Sequence, residues 1–129
     1  MTRLRIVLWI VAVSQLILGG LTLFAPAFFF ELIGLATPPD DNRYIIGMLG
    51  ARFLAYGIGF VVLARRTRPD LFWVWNMVAI QSVDLALGAF YTARGTLELA
   101  TSAFPMVNAT LFAVLLAAFA WPMRNTTAR

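Results

Sequence analysis

Apolar residues gather in four long runs, separated by short polar or proline-containing stretches. The runs centre on residues 6–25, 45–64, 71–93 and 102–121. None alternates with the period of two that marks a half-buried strand, and each is apolar nearly all round, as in a buried or lipid-embedded helix. At about 1.5 Å of rise per residue, runs of this length match a hydrocarbon core of about 30 Å. Lipid offers no partner for free backbone groups, so each run is expected to be helical. The pattern predicts an all-α fold, a four-helix integral membrane bundle forming a single transmembrane domain over residues 1–129.

Composition strengthens that reading. Of 129 residues, 61% are hydrophobic and only 12% are charged, and the mean hydropathy is +0.83. A soluble chain this short could not hide so much apolar surface. The formal net charge is +4, and every basic residue is arginine. The arginines sit mostly at the ends of apolar runs rather than on one polar face, which argues for a membrane and against nucleic acid as a partner.

Arginine placement also predicts orientation. Arg3 and Arg5 precede the first run, Arg65, Arg66 and Arg68 lie between the second and third, and Arg124 and Arg129 follow the fourth. In a four-crossing topology all of these fall on one side, opposed there only by Asp70. The positive-inside rule then places both termini in the cytoplasm. A secretory-signal reading of the first run competes, but its apolar stretch exceeds a typical signal core. The connection "PAFFFELIGLATPPDDNRY" places Phe28, Phe29, Leu32 and Ile33 on one helical face with Glu31 away from its centre. A short interfacial helix suits that pattern, ended by Pro38 and Pro39, and it is favoured over a lid on a binding site.

Two charges fall inside the runs. Arg52 and Asp84 each stand sixteen positions from Arg68, on opposite sides of the short connection "RRTRPD". A straight antiparallel hairpin would set them level, about 10–15 Å from the external surface at 1.5 Å per residue. Each alone at mid-bilayer would cost about 2.5–3.5 kcal/mol, and a fork-to-carboxylate pair would remove much of that. Gln81, Asp84, Gly88 and Tyr91 share a helical face; Tyr56 lies one turn from Arg52; Gln15 is near mid-span in the first run and Asn108 near the external end of the fourth. The candidate polar core is therefore Arg52, Asp84, Tyr56, Gln81, Gln15, Tyr91 and Asn108. It reads equally as interhelical hydrogen-bond glue or as an outward-open pocket for an anionic or polar headgroup.

Small residues recur at four-residue spacing: Gly47, Ala51, Ala55 and Gly59 in the second run, and Ala109, Ala113 and Ala117 in the fourth. Such stripes allow close helix approach within the bundle, in self-association or in docking to a larger partner. Trp9, Trp73, Trp75 and Trp121 fall near the predicted cytoplasmic ends, as an aromatic belt would. With no cysteine, histidine or lysine, the chain lacks thiolate, imidazole and Schiff-base chemistry. No catalytic residue, metal site or cofactor is therefore expected.

The stretches "LGGLTLFAPAFFFELIGL", "GARFLAYGIGF" and "VDLALGAFYTARG" resemble the small bacterial four-helix membrane proteins grouped as DoxX-like and BphX-like. The resemblance implies a multi-pass protein of the bacterial inner membrane that associates with partners; it supplies no set of catalytic residues. The leading expectation is a non-enzymatic accessory subunit, or a binder of a lipophilic or anionic ligand at a buried Arg52–Asp84 centre. An oligomeric transporter or channel component ranks second, and an enzyme acting on a lipid or quinone-like substrate third. Membrane lipid, a second copy and a larger membrane complex are the partners in view.

Overall fold

The computed structural model describes residues 2–126. Arg129, one of the arginines used for orientation, lies outside them. The described chain is helical, with α1 at Thr2–Phe24, α2 at Pro26–Leu32, α3 at Arg43–Arg65, α4 at Leu71–Ala93 and α5 at Leu99–Ala120. Two 3₁₀ turns, Asp40–Asn42 and Trp121–Thr126, precede α3 and follow α5. No strand occurs among the described residues. Four of these helices are long and apolar enough to cross a membrane.

Local chemistry accounts for most helix ends. Asp70 caps α4, its carboxylate accepting the Phe72 amide at 2.9 Å. That bond satisfies one of the amides a helix start leaves open. Pro26 occupies the first turn of α2, where its missing N–H costs nothing. The structure moves the end of α2 from the expected prolines to Gly34. With φ at +74°, Gly34 turns the chain back, its amide bonding the Glu31 carbonyl at 3.0 Å and Leu35 the Phe30 carbonyl at 2.9 Å. α5 starts at Leu99, three residues before the expected Ser102, and runs through Pro105.

The chain groups into two compact units, residues 8–66 and residues 1–7 with 67–129. In the first unit, α1 and α3 meet antiparallel at three glycines. A Cβ added at Gly57 would fall 2.7 Å from the Leu16 side chain and 3.0 Å from its amide nitrogen. One at Gly19 would come within 2.8 Å of the Leu54 amide nitrogen, and one at Gly50 within 2.7 Å of Thr22 Oγ1 and 3.0 Å of the Leu23 amide nitrogen. The backbones touch, and only hydrogen fits between them. Thr22 is buried there, and its hydroxyl is satisfied within α1 by the Leu18 carbonyl at 2.7 Å.

In the second unit α4 and α5 are also antiparallel. Gly88 faces Met106, and Thr92 Oγ1 donates to Ser102 Oγ at 2.7 Å. Towards the opposite ends of these two helices, Trp75 and Trp121 stack edge to face with centroids 6.1 Å apart. Buried residues of α4 are Val74, Met77 and Gln81, and none lies beyond Gln81. The span of α1 is the most enclosed at 39% buried, and that of α4 the least at 17%.

The glycine contact corrects one packing expectation. The stripe Gly47, Ala51, Ala55 and Gly59 is not the close-packed face of α3: Ala51, Ala55 and Gly59 are exposed, and nothing lies within 4 Å of a Cβ placed at Gly59. The two glycine sets therefore predict opposite responses. Gly50→Ala is expected to lower thermal stability by about 1–3 kcal/mol through overpacking against backbone. Gly59→Ala is expected to be neutral or to raise stability by up to about 1 kcal/mol through helix propensity. Thermal unfolding of both variants in one detergent checks this; equal losses would contradict the observed face.

Candidate functional site

The rotation of α3 decides where Arg52 points. Arg52 stands two residues from Gly50, about 160° around the helix at 3.6 residues per turn, on the side away from α1. It is exposed, with no hydrogen bond or ion pair among the described residues. Tyr56 follows one turn later and is half-buried. Gln15 lies on α1 and is only 5% exposed. Within this unit the structure thus places Arg52 and Tyr56 on successive turns of one helix, and Gln15 on another.

In the α4–α5 unit, Gln81 is 4% exposed, and its amide donates to the Met77 sulfur at 3.9 Å. A thioether is a weak acceptor, so this amide is held poorly. Asp84, three residues on, is exposed and has no hydrogen bond or ion pair among the described residues. Tyr91 is exposed at the end of the same helix, and its backbone carbonyl accepts the amides of Thr96 at 3.0 Å and Leu97 at 3.3 Å. Asn108 is half-buried on α5, two residues beyond the Met106 that covers Gly88.

Burial of the two charges was expected, and both are exposed instead. The physical cause on α3 is the glycine seam, which claims the opposite face. On α4 it is the absence of any buried position after Gln81. Each charge still stands about nine residues inside its helix, Arg52 counted from Arg43 and Asp84 from Ala93, or about 14 Å at 1.5 Å per residue. An ion pair lies elsewhere, between Arg43 Nε and Asp40 Oδ1 at 3.0 Å, where both side chains are exposed and the contact contributes little.

Sequence reasoning missed three polar or packing elements. Thr92 Oγ1 and Ser102 Oγ lie 2.7 Å apart, beside the Gly88 and Glu98 carbonyls at 2.7 and 3.2 Å, so two hydroxyl protons serve three contacts. Their placement on either side of the tight "RGTLE" turn was the available signal. Thr22 and the Gly19, Gly50 and Gly57 seam were signalled only by glycines that recur seven apart in the second run. Among the described residues no group of His, Cys, Asp and Glu could hold a metal ion. The chain matches no family model, no curated protein and no solved structure.

Proposed function

We propose that this chain is a small, non-enzymatic multi-pass membrane protein, an accessory subunit or ligand binder whose polar attachment points are Arg52 and Asp84. One observation carries the reading: each of these charges lies well inside an apolar helix, is exposed, and has no hydrogen-bond or ion-pair partner among the described residues. A bare charge at that depth in a bilayer costs about 2.5–3.5 kcal/mol on insertion scales. Snorkelling relieves part of this for a long arginine, but not for the short carboxylate of Asp84. A group from outside the chain, such as the polar end of a lipophilic ligand or an anionic headgroup on Arg52, would relieve the rest.

The exposed stripe Ala51, Ala55 and Gly59 beside Arg52 supports the accessory role, since small side chains let a foreign helix approach closely. The absence of cysteine, histidine and lysine supports a non-enzymatic role. Residence in the inner membrane of a bacterium, with both termini cytoplasmic, rests on the arginine distribution and on the DoxX-like and BphX-like resemblance.

Purification in mild detergent followed by native mass spectrometry tests the proposal. The expected result is a lipophilic or anionic ligand, or a partner protein, that stays bound to the wild type and is lost from Arg52→Gln. A wild-type chain that emerges alone, or bound mass that the substitution leaves unchanged, would overturn it.

A further inference from the structure

The side of α3 turned away from the glycine contact carries more than a cation. Ala55 and Gly59 stand three and seven residues after Arg52, so the three share one helical face within the unit of residues 8–66. All three are exposed, and nothing lies within 4 Å of a Cβ placed at Gly59. Half-buried Tyr56 and exposed Ile58 flank this strip, and exposed Val62 closes its far end. Small side chains among larger ones make a shallow trough, about 10 Å from Arg52 to Gly59 at 1.5 Å per residue. Cα–Cβ bonds in a helix tilt toward its N-terminus, so the stem of Arg52 leaves the levels of Ala55 and Gly59 uncovered. Arg52 itself has no hydrogen bond or ion pair among the described residues.

From this placement we propose that α3 binds one long-chain fatty acid, its carboxylate on the Arg52 guanidinium and its first methylenes along Ala55 and Gly59. Depth selects this ligand. Arg52 is the tenth of the 23 residues of α3, close to the middle of a helix long enough to span a membrane. A phosphodiester is permanently charged and stays at the interface. A carboxylic acid travels inward in neutral form, because an ionisable group in an apolar medium gives up its charge. Beside the guanidinium it is held as the carboxylate by two parallel N–H···O bonds, and its proton returns to water. Small residues alone would suit any acyl chain or helix; a single cation at the head of the trough calls for one anionic group and one tail. This inference rests on the Arg52 reading above and deepens it by naming the ligand class.

The test places the full chain in phosphatidylcholine nanodiscs with palmitic acid that carries a diazirine on its chain, or with the matching alcohol. After illumination, peptide mass spectrometry maps the label. The acid is expected to label residues 51–62 about tenfold more than the alcohol, as one charge-assisted contact allows. Unlabelled palmitic acid should displace it, and methyl palmitate should not. Arg52→Gln should remove the acid's excess, Arg52→Lys should keep part of it, and Gly59→Leu should lower it by filling the trough. Equal labelling by acid and alcohol in the inserted wild type overturns the fatty-acid site. If native mass spectrometry then still shows a phospholipid or partner protein lost from Arg52→Gln, the attachment role of Arg52 survives that failure. If nothing bound depends on Arg52, both fall.

Discussion

The backbone contact between α1 and α3 fixes the rest of what this chain presents. Gly19, Gly50 and Gly57 bring two helices so close that an added methyl would meet main-chain nitrogen. A contact of that kind admits one rotation of α3 and excludes others, because turning the helix would drive side chains into backbone. Arg52 is carried to the far side as a consequence, together with Ala51, Ala55 and Gly59. The exposure of a permanent cation in an apolar helix is therefore a product of packing.

That placement moves the functional question from the interior to the surface. A sealed ion pair would have made the two charges an internal matter, satisfied within one chain. Charges left open on helices long and apolar enough to cross a membrane would, if those helices span one, call for solvation from outside the chain, and the needs of a cation and a carboxylate differ. The chain also keeps two nearly buried glutamines, Gln15 and Gln81, and the Gln81 amide donates only to the weak Met77 thioether acceptor.

Much of the fold was legible in the sequence. The run at 71–93 coincides with α4, and those at 6–25 and 45–64 fall within a few residues of α1 and α3, because length and hydropathy define a spanning helix directly. The face each helix buries was not legible. Lipid-facing and protein-facing positions are equally apolar, so periodicity carries no contrast. The second run holds two interleaved sets of small residues, Gly47–Ala51–Ala55–Gly59 and Gly50–Gly57, and spacing alone favours the longer one, although the shorter one meets α1. The depth of Arg52 and Asp84 followed from counting, whereas their exposure followed from rotation, which counting cannot supply. The end of α2 at Gly34 was missed because prolines stop a helix more conspicuously than a left-handed glycine does.

The outward face of α3 can be read most directly by spin labelling, since the chain contains no cysteine to compete with an introduced one. Single labels at Arg52→Cys and Gly57→Cys in reconstituted protein would report mobility and collision with oxygen or a polar nickel chelate. The account predicts a mobile, accessible label at position 52 and an immobilised, inaccessible one at position 57. An immobilised label at 52 that neither reagent reaches would place the guanidinium in a packed interior and contradict it.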